Sequence, residues 1–217
     1  MRVEEVMSHE VTTVGPDTSL KEAARLLAGR RVSGMPVVDG DGAVVGVISE
    51  ADVLVKERAQ PREHASMLAR LLQRPDPQEE EKLEARLVGE AMTSPAITIE
   101  PFWSVSAAAE RMLDEEVNRL PVVSLDGRLL GIVTRADIVR AFARKDADIE
   151  REIREQLELQ QALAGDRQPL DVRIAAGEVT LKGRVRRRMD AEALPQVIAR
   201  VTGVVGVRSE IDWDEDL

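Results

Sequence analysis

GVISEADVL (Gly46–Leu54) recurs eighty-five residues later as GIVTRADIV (Gly131–Val139). Each copy is a glycine, an apolar run, a hydroxyl residue and an aspartate three places on. A β-type run that ends in Ser/Thr-x-x-Asp reads as a strand turning directly into a capped helix start. Two such corners make internal repetition the first question. At an offset of 85, Met7 meets Met92, Pro16 meets Pro101, and Pro36-Val37-Val38 meets Pro121-Val122-Val123, without a gap. Seventeen of the 52 pairs from Val3 to Leu54 are identical, so the chain contains a duplicated unit.

Both copies read alike. Val11–Val14 is a short β-type run, and Pro16-Asp17-Thr18 breaks it before a helix. Leu20, Ala23, Ala24 and Leu27 then follow helical spacing. Met35–Val38 and Val44–Ile48 flank an Asp-Gly-Asp-Gly turn, a hairpin signal, and a helix follows from Glu50. The second copy repeats this β-α-β-β-α order with Ile97–Ile99, Val105–Leu113, Pro121–Val123 and Leu129–Val133. The expected boundaries are 1–58 for the first repeat, 59–86 for a helical insert, and 87–144 for the second repeat. After Arg144 the pattern changes. Ile149, Ile153, Leu157 and Leu163 stripe a helix, with Glu150 and Arg154 as an i,i+4 pair. Two alternating runs around Gly177, a helix through Leu194 and Ile198, and a final strand give a small α-β-β-α-β domain over 149–213. Pro195 sits inside that second helix, which therefore starts late or kinks. The fold class is mixed α/β, of α+β type.

Composition excludes several functions. The formal net charge is −10, opposite to the basic footprint of a nucleic-acid binder. Without cysteine there is no disulfide, thiolate catalyst or thiolate-held metal. His9 and His64 are far apart and are not expected to share a metal. No signal-peptide core and no membrane-length apolar run is present, so a cytoplasmic protein is expected.

The corners offer binding chemistry rather than catalysis. Ser49-x-x-Asp52 and Thr134-x-x-Asp137 are each sufficient as helix caps. At a strand's carboxyl end, however, the first free amides of a helix favour an anion. A hydroxyl there reaches a phosphate or sugar, and a carboxylate accepts both hydrogens of a ribose diol. No nucleophile, general base or metal cluster accompanies them, so the expectation is a protein that is not an enzyme.

With VMS/AMT, Thr13/Thr98, RVSGMPVV/VNRLPVV, the Asp-Gly hairpins and the two corners, Val3–Ala143 resembles a tandem pair of CBS domains. The resemblance implies a pseudo-twofold pair that binds an adenine nucleotide (AMP, ADP or ATP) as a regulatory ligand, and a homodimer through the CBS domains. It implies one site from Ser49 and Asp52 with Ile97, Thr98 and Val117. The other would use Thr134 and Asp137 with Thr12, Thr13 and Val32. Family members often carry a phosphate-reaching basic residue just before the Leu-Pro-Val-Val run; Arg119 matches it, whereas the first repeat has Gly34. A ligand-free dimerisation scaffold is the alternative.

GEVTLKGRV (Gly177–Val185) and VTGVVGVRSEI (Val201–Ile211) resemble a BON domain, a bacterial module that implies contact with a protein partner or a phospholipid surface. The basic run of Lys182, Arg184, Arg186, Arg187 and Arg188 is the candidate for an anionic lipid surface, though in so acidic a chain a solvated strand end and helix start is the favoured reading.

Overall fold

The computed structural model describes residues 1–58, 85–164 and 169–215. The expected helical insert at 59–86, with His64, lies outside the described residues except for its last two positions, as does the side chain of Leu163. The chain forms two compact units. One is Met7–Trp103 with Glu115–Val133; the other is Met1–Val6, Ser104–Asp114 and Thr134–Leu217.

In the first unit, helix α1 (Leu20–Arg30) begins where Ser19 Oγ accepts the Glu22 amide, and it buries Leu20, Ala23 and Leu27. Strands β1 (Gly34–Val38) and β2 (Val44–Ser49) pair antiparallel, with Gly34 opposite Ser49. Helix α2 (Glu50–Arg58) follows directly, and α3 is one short turn, Val88–Ala91. Strands β3 (Arg119–Val123) and β4 (Leu129–Thr134) form the second hairpin. The apolar face of α1 closes on Met35, Val37 and Ile48, with Ala85, Val88 and Ala91 completing the core.

The expected first strand of each repeat contributes only a single parallel bridge, Val14 to Val37 and Ile99 to Val122. In the first repeat, Gly15 and Pro16 turn the chain at once, and proline has no amide for a further rung.

The repeats are joined reciprocally. Thr93 exchanges two backbone hydrogen bonds with Val47, and Ser8 does the same with Ile132, its partner at the 85-residue offset. Near the symmetry axis Ala43 bridges Arg128, Val44 donates to the Gly127 carbonyl, and Leu129 donates to that of Gly42. These paired bonds are the pseudo-twofold relation expressed in the backbone.

The second unit holds α4 (Val105–Asp114), α5 (Arg135–Phe142), α6 (Asp146–Ala164) and the C-terminal sheet. In that sheet β5 (Asp171–Ala175) and β6 (Glu178–Arg187) form an antiparallel hairpin. After α7 (Arg188–Ile198), β7 (Gly206–Glu215) returns parallel to β6, as a helical crossover requires. Ile149, Ile153 and Leu157 of α6 cover Val172, Val179 and Leu181. Gly183 has φ of +142°, and a Cβ there would lie 2.8 Å from Leu170 Cδ2, so glycine is required within the strand. Helix α7 does not start late: it begins at Arg188 and runs through Pro195. Pro195 cannot donate, but its carbonyl accepts the Ala199 amide, and the helix ends within a turn.

Among the described residues, Lys182, Arg184, Arg186 and Arg188 of the basic run each have a defined acidic neighbour. Lys182 pairs with Glu210 at 2.6 Å, Arg184 with Asp214 at 3.0 Å and Asp212 at 3.6 Å, and Arg186 with Glu215 at 3.4 Å. Arg188 pairs with Glu192 and lies 5.7 Å from the centroid of the Trp213 ring.

Candidate functional site

The first corner is fixed by its own hydrogen bonds. As β2 runs into α2, Asp52 Oδ2 accepts from the Ser49 amide at 2.9 Å and from the Ser49 hydroxyl at 2.7 Å. The carboxylate is buried yet borders a cavity of about 180 Å³. Ser49, Asp52 and Val47 line it from the first repeat; Thr93, Ala96, Ile97 and the Glu116–Arg119 segment line it from the second. The exchange of Thr93 onto Val47 carries Ala96 and Ile97 to this corner. A left-handed turn at Glu116 (φ 54°) leads into Val117 on the opposite wall.

Arg119 supplies the positive charge. It is only 9% exposed, and Nη2 donates to Ser33 Oγ at 2.9 Å. Burial lowers its pKa, and the nearby Glu50 and Asp52 carboxylates offset part of that effect. The guanidinium lies across Gly34, which faces Ser49 in the β1–β2 register.

Of the residues expected at this site, Ser49, Asp52, Ile97, Val117 and Arg119 line one cavity, whereas Thr98 is half-buried and outside the lining. Val47, Thr93, Ala96, Glu116 and Asn118 also line it and were not expected. Their contribution depends on the exchange between repeats, which leaves no mark on either repeat alone.

The second corner has the same cap with different surroundings. Asp137 Oδ2 accepts from the Thr134 amide at 2.9 Å and hydroxyl at 2.6 Å, and the Asp137 amide returns a bond to Thr134 Oγ1. Here Arg140 also donates to Asp137 Oδ1 at 3.0 Å. The matching position of the first repeat is Val55. Thr12, Thr13 and Val32 are half-buried residues of the other unit. Among the described residues no group of three or more His, Asp or Glu could hold a metal ion, and no helix is long and apolar enough to cross a membrane.

A duplicated β-β-α hairpin unit, joined by reciprocal exchange and followed by a small α-β-β-α-β domain, defines the class. The CBS domain model matches residues 3–57 and 88–144, the BON domain model matches 145–215, and the chain belongs to the CBS-domain family with a BON domain after the pair. The chain is 33% identical over 147 residues to the chloroplastic CBS domain-containing protein CBSX1 of Arabidopsis thaliana; the match covers 61% of this chain and 59% of that protein. It thus spans less than two thirds of that relative. Among solved structures, CBSX2 in complex with AMP superposes with a TM-score of 0.55 at 32% identity, covering 64% of this chain and 95% of that one. The CBS domain pair of MJ0100, in complex with 5'-methylthioadenosine and S-adenosyl-L-methionine, gives 0.52 at 27% identity, covering 65% and 95%.

Proposed function

We propose that the CBS pair binds an adenine nucleotide at the Ser49–Asp52 corner, and that the protein is a non-catalytic regulator whose BON domain engages a protein partner. The reading takes 1–58 and 87–144 as the two repeats and 149–213 as the tail domain, working as a cytoplasmic homodimer through the CBS pair. The observation that carries it is Arg119: a buried guanidinium on the cavity wall whose one hydrogen bond among the described residues goes to Ser33. Such a charge favours an anionic ligand that supplies further acceptors.

Ile97, Val117, Val47 and Ala96 offer apolar walls for a base, and Asp52 an acceptor for ribose hydroxyls. The cavity is smaller than the roughly 300–1,000 Å³ that enclose drug-sized ligands, so base and sugar fill it while phosphate lies at the mouth. CBSX2 with AMP supports the same ligand class. Among the described residues the lining carries one cation, Arg119, against the carboxylates of Asp52 and Glu116, which favours a monophosphate over a triphosphate. Binding regulates only through unequal affinity for two conformations. The ion pairs along β6 and β7 give the basic run a structural role and weigh against a lipid surface.

Calorimetry with AMP, ADP and ATP tests the reading. The expected order is AMP tightest and ATP weakest. At a hundred times its Kd, AMP stabilises the protein by about 2.7 kcal/mol. No heat and no thermal shift at millimolar nucleotide would leave the ligand-free scaffold as the better account.

A further inference from the structure

The repeats differ most sharply where the cavity needs its charge. Residue 119 in the second repeat is arginine, and its partner at the 85-residue offset, residue 34, is glycine. The structure makes the two choices one. A Cβ on Gly34 would stand 2.1 Å from Arg119 Nη1 and 2.5 Å from its Cζ, closer than any real contact. It would also stand 2.9 Å from the Ile48 carbonyl oxygen. Gly34 has an ordinary negative-φ backbone, so the requirement is for space rather than for conformational freedom.

We infer that Gly34 is a positioning residue for ligand selectivity: by lacking a side chain it lets Arg119 lie across β1, against Ser33 and beside Ser49 and Asp52. The inference rests on the nucleotide reading above and adds the residue that determines whether the site recognises a phosphate. A methyl group at position 34 pushes the guanidinium off Ser33 and away from the wall it occupies. The base and ribose walls, contributed by Ile97, Val117 and Asp52, are left in place. In phosphate selectivity Gly34 thus acts through Arg119, and that effect vanishes when the cation is absent; the contact with the Ile48 carbonyl bears on stability alone.

The test is a double-mutant cycle on the full chain with Gly34→Ala, Arg119→Met and the pair, using AMP and adenosine as probes in calorimetry. A charged hydrogen bond to phosphate corresponds to at least about a tenfold preference of the wild type for AMP over adenosine. Each single variant is expected to lose that preference while holding adenosine within about twofold, and the double variant to match either single one. A Gly34→Ala protein that keeps the wild-type AMP-to-adenosine ratio overturns the inference, as does a double variant with additive losses. Urea midpoints cover the case in which Gly34→Ala folds poorly. If the clash is with the guanidinium, Arg119→Met restores the midpoint; if the double variant stays as unstable, the Ile48 carbonyl is the obstacle and the inference fails. A wild type that binds AMP without preference over adenosine overturns the inference alone. A wild type that binds neither probe overturns the nucleotide reading and this inference with it.

Discussion

The Asp52 carboxylate holds the Ser49 amide and hydroxyl, and its charge sits in the first turn of α2. The same side chain borders the cavity, so replacing it confounds folding with binding unless the variants are chosen to part them. Asp52→Asn keeps an acceptor for Ser49 but removes the charge near the helix's positive end, a loss of about 0.3–1 kcal/mol. Asp52→Ala removes both and is expected to cost about 1–2 kcal/mol. Denaturant midpoints will show whether the two separate in that order; equal midpoints would mean the carboxylate does not support the helix start. The corner was legible in the sequence because hydroxyl, spacing and carboxylate are all local. Arg140 beside Asp137, with Val55 at the matching place, was equally visible one turn along, but its consequence required seeing which carboxylate oxygen it reaches.

Elements held by local pattern appeared where the sequence put them: α1, both hairpins, and the Ile149–Ile153–Leu157 stripe of α6. Elements defined by what lies across from them did not, as the single-bridge runs at Val14 and Ile99 show. The start of α6 depends on one such distant contact. Arg144 donates to Glu152 Oε2 at 2.6 Å and to the carbonyls of Asp148 and Thr202, tying the connector between α5 and α6 to the loop before β7. Burial raises the Glu152 pKa, but the hydrogen bonds and charges of Arg144 and the Met1 ammonium outweigh it and hold the carboxyl below its ordinary value. A lowered folded pKa contributes stability above the unfolded value and loses it as pH falls through the folded one. Glu152→Gln is therefore expected to cost about 1 kcal/mol at pH 7. That deficit should shrink as pH drops below the ordinary glutamate pKa of about 4.3, read as converging urea midpoints. A constant gap across that range would exclude the ion pair as the cause.

On the scale of the whole chain, duplication and a net charge of −10 were plain in the sequence, but the pairing of opposite charges was not. The basic run and the acidic terminal strand lie about thirty residues apart, and only the parallel register of β6 and β7 sets Lys182 beside Glu210 and Arg184 beside Asp212. The part of that basic run made by Lys182, Arg184 and Arg186 becomes a ladder neutralised within its own sheet. Each exposed pair adds little stability, about 0–1 kcal/mol, so the ladder matters more for what it withholds from solvent than for what it holds together. Near an anionic membrane each available cation contributes about 1 kcal/mol, and carboxylates a few ångströms away cancel most of that attraction. The wild-type chain is accordingly expected to stay in the supernatant when sedimented with phosphatidylglycerol vesicles at about 0.15 M salt, where the Debye length is about 8 Å. Neutralising the acidic side with Glu210→Gln, Asp212→Asn and Asp214→Asn frees Lys182 and Arg184. That variant should pellet with the vesicles and be released as salt is raised, while thermal unfolding stays close to wild type. Sedimentation of the unmodified chain would mean that the pairs open at a membrane and that the ladder does not mask the basic run.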